Sequence, residues 1–199
     1  MRFPEFVDFK TVKRRKKDDS QTKIIDSLDP VEILEDAYQK ITNDIASDLL
    51  AQIKKSSPKF FENVVVNLLV KMGYGGSLKD AGEAIGQTGD EGIDGIIKED
   101  RLGLDVVYIQ AKRWEGNVSR PEIQKFVGAL QGRRANKGVF ITTSSFSESA
   151  KDYVKNIATK VVLVDGELLS KLMLENDIGV TKSASYEIKK IDYDFFTED

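Results

Sequence analysis

The chain contains neither cysteine nor histidine among its 199 residues. Without cysteine, disulfide bonds, thiolate zinc sites and cysteine nucleophiles are excluded. Without histidine, Ser-His-Asp triads and zinc hydrolases that need imidazole ligands are excluded as well. Any catalysis must therefore rest on carboxylates, lysine, hydroxyl groups and a metal ion held by oxygen ligands, which suit Mg²⁺ or Mn²⁺.

Long apolar runs are also missing. No stretch approaches the length that spans a bilayer, and the N-terminus lacks the apolar core of a signal peptide. The apolar and aromatic fractions, 40% and 9%, are those of a globular protein with a proper core. We therefore expect a soluble, cytoplasmic protein with no membrane partner, built as one domain with an appendage.

The small net charge of −3 argues against a protein that coats nucleic acid nonspecifically. The charges are nevertheless not evenly spread, because a basic run lies near the N-terminus and an acidic run at the C-terminus. Charge runs at termini are usually solvated tails, and a phosphate-contacting arm is the alternative for the basic run. The basic run consists of Lys10, Lys13, Arg14, Arg15, Lys16, Lys17 and Lys23, and the acidic one of Asp192, Asp194, Glu198 and Asp199.

Two helices are expected before the main domain's sheet. Residues 1–29 show no sustained period and are interpreted as a basic tail or as the remnant of another domain. Asp29 and Pro30 form a helix start, and apolar residues then recur every three or four positions to about Lys55. Residues 30–56 are therefore a linker or a helix that dimerises with a second copy. Ser57 and Pro58 open a second helix, to about residue 72.

Residues 57–199 form the main domain, in which strands alternate with helices. We expect helices at residues 121–133, 147–158 and 165–175, and strands at residues 94–112 (a hairpin), 137–143 and 161–164. This alternation favours an α/β fold with a central mixed sheet flanked by helices. We also expect a short edge strand before Asp94 and a weak strand at residues 186–191. Residues 77–88 are expected to form a loop that closes over a site.

The hairpin brings three polar residues together. If it folds about Leu102, paired positions sum to about 204, which places Asp94 opposite Gln110. Because side chains alternate across a strand, Gln110 and Lys112 share one face. A carboxylate, an amide and an ammonium group then meet at one end of a sheet. Such a patch can hold a divalent cation and a phosphate.

An aspartate followed after about fifteen residues by a polar residue, a spacer and a lysine has the spacing of the PD-(D/E)XK nuclease core. The surrounding sequence resembles the Mrr family of modification-dependent restriction endonucleases within that superfamily. The similarity extends over about residues 58–180. Its blocks, in order, are residues 60–62, 72–76, 89–97, 110–114, 138–144 and 164–169.

The resemblance implies a role for each matched residue. Asp94 corresponds to the metal-binding aspartate, Gln110 to the second motif position, also a metal ligand, and Lys112 to the catalytic lysine. Glu62 corresponds to the helical acidic residue that completes the metal shell. Mg²⁺ or Mn²⁺ is the implied cofactor, and Ile93 replaces the proline of the motif's name.

Each residue also has a structural interpretation without catalysis. Asp94 lies between glycines and could be a turn residue, and Glu62 could favour the first turns of a helix through the helix dipole. Lys112 and Arg113 could be ordinary charges of an edge strand. The neutral Gln110, where the superfamily commonly has Asp or Glu, supplies no charge to a metal and leaves activity open.

Several residues near the hairpin are candidates for DNA contact. Arg113, Trp114 and Arg120 could line a phosphate-binding rim with Trp114 stacking on a base, and Gln124 projects from the following helix. A core tryptophan and a solvated glutamine are the alternatives. Thr142, Thr143 and Ser144 could bind phosphate or cap a helix.

The resemblance implies a Mg²⁺-dependent endonuclease that hydrolyses double-stranded DNA and restricts foreign or methylated DNA. Because residues 1–55 leave no room for a DNA-reading domain, we expect such a domain on a separate segment or subunit. Because two DNA strands need two active sites, we also expect a homodimer. A catalytically weak DNA-binding module of the same fold is the main alternative. A structural protein that dimerises through its first helix is the other.

Overall fold

The computed structural model describes residues 29–75, 92–99 and 104–197. The basic run, the loop at residues 77–88, the turn of the hairpin and the last two residues lie outside this part, and the expected short edge strand falls almost wholly outside it. The chain divides into two compact units, Met1–Ile45 and Ala46–Asp199.

Helix α1 spans Pro30–Lys55 and begins where the sequence predicts. The Asp29 carboxylate accepts a hydrogen bond from the Val31 backbone N–H at 3.0 Å, which satisfies one of the free amides of the first turn. Within the first unit Ile33 is half-buried. The other large apolar side chains of this helix are exposed there, and they are Val31, Leu34, Tyr38, Ile41 and Ile45. Within the second unit, Ile53 is buried.

Helix α2 spans Pro58–Lys71 and lies in the second unit. The Ser57 hydroxyl accepts a hydrogen bond from the Phe60 backbone N–H, as the cap-and-proline signal predicts. Its apolar stripe, which includes Phe61, Val65 and Leu68, is fully buried. The helix is therefore fixed against the sheet.

Four strands form one mixed sheet: β1 (Gly95–Lys98), β2 (Val106–Lys112), β3 (Lys137–Thr142) and β4 (Lys160–Val164). They lie in the order β1-β2-β3-β4, with β1 antiparallel to β2 and the other neighbours parallel. Gly95 pairs with Ile109, so the predicted hairpin register is confirmed.

Three further helices complete the layers: α3 (Arg120–Gly132), α4 (Glu148–Lys155) and α5 (Gly166–Glu175). One face of the sheet packs with α3 and α4 around Phe126, Phe140 and Ala150. The other packs with α2 and α5 around Phe61, Ile109 and Leu169. The predicted α/β fold is confirmed.

The C-terminal segment differs from the expectation. Residues 186–191 form no strand, and a 3-10 helix spans Tyr193–Phe196 instead. The apolar side chains of this segment are exposed, so no sheet face is available to hold them as a strand. Helix α4 also ends at Lys155, earlier than predicted. Among the helices of the described residues, none is long and apolar enough to span a membrane.

The topology places the polar residues of the hairpin at one edge of the sheet. Strands β2, β3 and β4 are parallel, so their carboxyl ends share an edge, and antiparallel β1 begins there. Asp94 directly precedes β1, and Lys112 is the last residue of β2. In open α/β sheets, ligands bind at this edge.

Candidate active site

Asp94 is fixed by two hydrogen bonds at the start of β1. Its backbone N–H donates to the Ile109 carbonyl at 2.8 Å. Its carboxylate accepts a hydrogen bond from the Ala111 backbone N–H at 2.7 Å. These contacts lie on either side of Gln110 along β2, so Asp94 belongs to the end of the strand ladder and not to a free turn.

Glu62 on α2 is half-buried, as expected, and its carboxyl group responds to the charges of the hairpin. Burial raises the pKa of Glu62, and the negative charge of Asp94 raises it further. The positive charges of Lys112 and Lys59 lower this pKa. The fold therefore brings Asp94 and Lys112 within electrostatic reach of Glu62, although the three residues are far apart in the sequence.

Gln110 is buried, with 5% of its surface exposed. Its amide lies against the backbone of Gly92, where an added Cβ would come within 3.2 Å of Gln110 Nε2. Lys112 shares the strand face of Gln110 and is half-buried. Because β2 lies between β1 and β3, the interpretation of Lys112 as an edge-strand charge is wrong.

Arg113 and Trp114 leave the sheet directly after β2 in different environments. Arg113 Nη1 donates to the Lys54 carbonyl at 2.6 Å, in the last turn of α1, where helix carbonyls lack partners. Trp114 is 38% exposed, so its interpretation as a core residue is wrong. Trp114 is available for stacking, whereas part of the Arg113 guanidinium is engaged with the protein itself.

Arg120 and Gln124 are both exposed and lie one turn apart on α3. The Arg120 guanidinium lies 5.0 Å from the centre of the Tyr153 ring, which is a cation–π contact. Their contact with DNA stays a prediction.

Sequence reasoning missed the part that Thr142, Thr143 and Ser144 play. All three are buried, and their hydroxyls donate to backbone carbonyls of residues 112, 114 and 115. The signal in the sequence is a run of hydroxyl residues at the end of a buried strand. The partners of those hydroxyls lie about thirty residues earlier and follow only from the parallel pairing of β2 with β3.

The donor set fits a hard divalent cation. Glu62 and Asp94 supply carboxylate oxygens, and Gln110 lies beside Asp94 with an amide oxygen. Within residues 29–75, 92–99 and 104–197 no group of three Asp, Glu, His or Cys residues could hold a metal. Mg²⁺ suits such a sparse set, since it commonly binds one or two carboxylates and fills its octahedron with water and substrate phosphate.

Comparison with known proteins identifies the family. The family model of the Mrr catalytic domain, described as a restriction endonuclease, matches residues 53–173. A type IV methyl-directed restriction enzyme of Escherichia coli K12, EcoKMrr, is 45% identical over 167 residues, which cover 84% of this chain and 54% of the relative. The chain thus spans about half the length of the curated relative it matches.

Among solved structures, the chain is similar to the MspJI restriction endonuclease in complex with a 27-mer oligonucleotide. The TM-score is 0.40 and the identity 26%, and the match covers 71% of this chain and 30% of that one. The family match includes α2, the hairpin and the edge of the sheet that carries Asp94 and Lys112. The chain belongs to the Mrr catalytic-domain family of restriction endonucleases.

Proposed function

We propose that the chain is a Mg²⁺-dependent endonuclease that hydrolyses phosphodiester bonds of double-stranded DNA. The observation that carries the proposal is that the charges of Asp94 and Lys112, at the carboxyl edge of the sheet, both act on the carboxyl group of Glu62, in a chain of this family. A pair of carboxylates beside one lysine suits a reaction that must both hold a cation and offset charge at phosphorus.

In this proposal Asp94, Glu62 and Gln110 hold the cation. A bound Mg²⁺ supplies Lewis acidity that polarises the phosphate and favours ionisation of water. The hydrogen bond from Ala111 fixes Asp94, and Glu62 is fixed by its position on a helix whose apolar face is buried. Mn²⁺ has the same preference for oxygen ligands and is expected to substitute.

Lys112 acts on the substrate in the proposed mechanism. Its ammonium group stands at the end of an interior strand, close enough to the acidic pair to shift the pKa of Glu62. From there it can orient the attacking water by a hydrogen bond and offset the negative charge that grows on the phosphate in the transition state. Trp114, Arg120 and Gln124 are all exposed, and we assign DNA contact to them.

Restriction of modified DNA is the proposed biological role, on the strength of the likeness to a methyl-directed restriction enzyme. Recognition of a modified base needs a pocket for that base. We assign this recognition to a separate domain or subunit. Foreign DNA that enters a cell reaches the cytoplasm, so we place the activity there.

Plasmid cleavage tests the proposed function. Purified protein is incubated with methylated and unmethylated supercoiled plasmid in Mg²⁺, in Mn²⁺ or in EDTA. We expect nicked and linear products with either cation, more of them from methylated plasmid, and none in EDTA. Cleavage that persists in EDTA, or that survives Asp94→Ala or Lys112→Ala, contradicts the assignment.

We further propose that the protein works as a homodimer that pairs through α1. Val31, Leu34, Tyr38, Ile41 and Ile45 recur at steps of three and four residues and are all exposed. This spacing is the a/d pattern of a coiled coil, which pairs with an identical helix. We call these five residues the α1 seam.

The second candidate function is a catalytically weak DNA-binding module of the same fold. The observation in its favour is the buried neutral Gln110, which adds no charge to the two carboxylates. Such a module would bind DNA and retard it in gel electrophoresis. It would leave plasmid intact at saturating Mg²⁺, which distinguishes it from the nuclease. A protein that only dimerises would do neither.

A further inference from the structure

Three consecutive hydroxyl residues, which begin with the last residue of β3, hold the end of β2 and the segment that follows it. Thr142 Oγ1 donates to the Lys112 carbonyl at 2.8 Å, and Thr143 Oγ1 donates to the Trp114 carbonyl at 2.8 Å. Ser144 Oγ donates to the Glu115 carbonyl at 3.1 Å. We call Thr142, Thr143 and Ser144 the hydroxyl ladder.

Because the hydroxyl ladder is buried, its hydroxyl groups have few alternative hydrogen-bond partners. Thr142 is 0% exposed and Thr143 is 1% exposed, so neither hydroxyl has ready access to water as an alternative partner. A buried hydroxyl or carbonyl without a partner is costly, which favours the one geometry that satisfies all of them. The sheet pairing of β2 with β3 ends at Lys112 and Thr142. The hydroxyl ladder therefore extends the attachment to residues 114 and 115, beyond that last pair.

Further contacts hold the same segment. The Lys112 carbonyl also accepts hydrogen bonds from the Thr143 N–H at 3.3 Å and the Trp114 N–H at 3.0 Å. The side chain of Arg113 reaches the other way, to the Lys54 carbonyl. The backbone is fixed on both sides at the point where Lys112 enters the candidate site.

We propose that Thr142, Thr143 and Ser144 are positioning residues, which fix the backbone from Lys112 to Glu115 so that the Lys112 amine reaches the acidic pair and Trp114 faces outward. This inference rests on the proposed function for its catalytic consequence but not for its structural one. The hydroxyl ladder acts through Lys112 and Trp114 and touches no substrate itself.

The energetic reason is the flexible lysine side chain. A lysine amine sits on four rotatable carbons, so its position relative to Glu62 and Asp94 is only as well defined as its backbone and packing allow. Loss of about 1 Å of alignment can lower a reaction rate about a hundredfold. A hydroxyl that fixes the carbonyl of the same residue therefore contributes to rate while it adds nothing to DNA affinity.

Fluorescence of Trp114 tests the structural half of the inference, because the chain has one tryptophan. We expect Thr143→Val, which keeps the shape but removes the hydroxyl, to lower the fluorescence anisotropy and raise acrylamide quenching of the folded protein. Thr143→Ser should recover most of the original signal. Ser170→Ala is the matched control, since it removes an equally buried hydroxyl that donates to the Glu167 carbonyl at 3.0 Å within α5.

Kinetics of Thr142→Val test the catalytic half. We expect kcat for plasmid nicking to fall about ten- to a hundredfold with an unchanged Kd for DNA, and Thr142→Ser to recover most of the loss. If the valine variants lack native circular dichroism, Ser144→Ala provides both readouts with a smaller change.

The outcomes separate the two proposals. Unaltered Trp114 fluorescence in folded Thr143→Val, or an equal change in Ser170→Ala, overturns the positioning role. So does an unchanged kcat of Thr142→Val in an active wild type. An inactive wild type whose Trp114 signal responds to Thr143→Val refutes the proposed function and leaves the positioning of the segment supported.

Discussion

Asp94 combines a structural and a chemical task in one carboxylate. One oxygen accepts the Ala111 backbone hydrogen bond that extends the ladder beyond β1, and the negative charge raises the pKa of Glu62. An asparagine can keep the first task, because its carbonyl oxygen also accepts a hydrogen bond, but it loses the charge. The two tasks are therefore separable by substitution.

We predict that Asp94→Asn keeps the stability of the wild type and lowers plasmid nicking at least about a hundredfold. Asp94→Ala should lose the same activity and, in addition, about 1 kcal/mol of unfolding free energy, because the Ala111 N–H then lacks its partner. Urea unfolding and nicking assays measure the two effects. Equal stability of the two variants, or a nicking rate of Asp94→Asn near that of the wild type, would count against this assignment.

Glu62 makes stability depend on pH through its raised pKa. Burial first and Asp94 second raise this pKa above its ordinary value of 4.5, so the folded state binds the proton more tightly than the unfolded chain does. The favourable contribution of protonated Glu62 is complete below pH 4.5 and is lost as the pH rises through the raised pKa.

We therefore predict that Glu62→Gln has a higher Tm than the wild type at pH 7 in EDTA and that the advantage shrinks below pH 4.5. Partial exposure to solvent keeps the effect small. Added Mg²⁺ should raise the Tm of the wild type and not that of Glu62→Gln, since ligand binding stabilises the folded state. Thermal scans at both pH values check this, and an advantage that grows toward acid pH contradicts it.

At the scale of elements, the sheet edge depends on how closely α3 approaches β3. Gly138 in β3 lies beneath α3, where an added Cβ would come within 2.8 Å of both Leu130 Cδ1 and Phe126 Cζ. This close approach sets the height of α3, which carries Arg120 and Gln124, above the sheet. A side chain at position 138 would push the helix and the strand apart.

We predict that Gly138→Ala costs about 1–3 kcal/mol of unfolding free energy through overpacking. Gly128→Ala is the matched control on the exposed side of α3, where no atom lies within 4 Å of the added Cβ. That substitution should stabilise the protein by about 0.5–1 kcal/mol, because glycine is unfavourable within a helix. Chemical denaturation measures the unfolding free energy of both variants. An unchanged unfolding free energy of Gly138→Ala would show that α3 moves away from β3 at little cost.

The helices and strands differ in how far the sequence predicts them. Helices α1 and α2 start as predicted because cap and proline signals are local, and the hairpin register follows from the symmetry about its turn. The contact of Arg113 with Lys54 joins residues 59 positions apart, and no local pattern indicates it.

In the candidate site, too, some features follow from the sequence and others depend on tertiary packing. The sequence brings Asp94 and Gln110 together through strand pairing and adds Glu62 through family resemblance. The exposure of Trp114 and the partners of the hydroxyl ladder depend on where β3 lies relative to the end of β2. Tertiary packing decides such features, and hydrophobic periodicity carries no information on them.

At the scale of the whole molecule, a cut through both strands of DNA calls for two active sites, and the α1 seam offers the means to join two chains. Its five apolar residues are exposed in the first unit of the chain, which is unfavourable for an isolated helix in water. Pairing with an identical helix would remove them from solvent.

We predict that Ile41→Lys converts a dimer into a monomer of 22.3 kDa in sedimentation equilibrium. A lysine in the a/d seam places like charges against each other in a desolvated position. Asn43→Lys, an exposed change on the opposite side of α1, is the control and should leave the mass of the dimer unchanged. A wild-type monomer at all concentrations, or dissociation by both variants, would exclude the α1 seam as the dimer contact.

Two lysines act on Glu62, and comparison of them tests the central claim most directly. Lys112 ends an interior strand and is the proposed catalytic group, whereas Lys59 is an exposed residue in the first turn of α2. The measurement is the nicking rate of supercoiled plasmid at saturating Mg²⁺ for Lys112→Gln and Lys59→Gln. The account predicts a loss of at least about a hundredfold for Lys112→Gln and less than about threefold for Lys59→Gln. Equal rates for the two variants would contradict it.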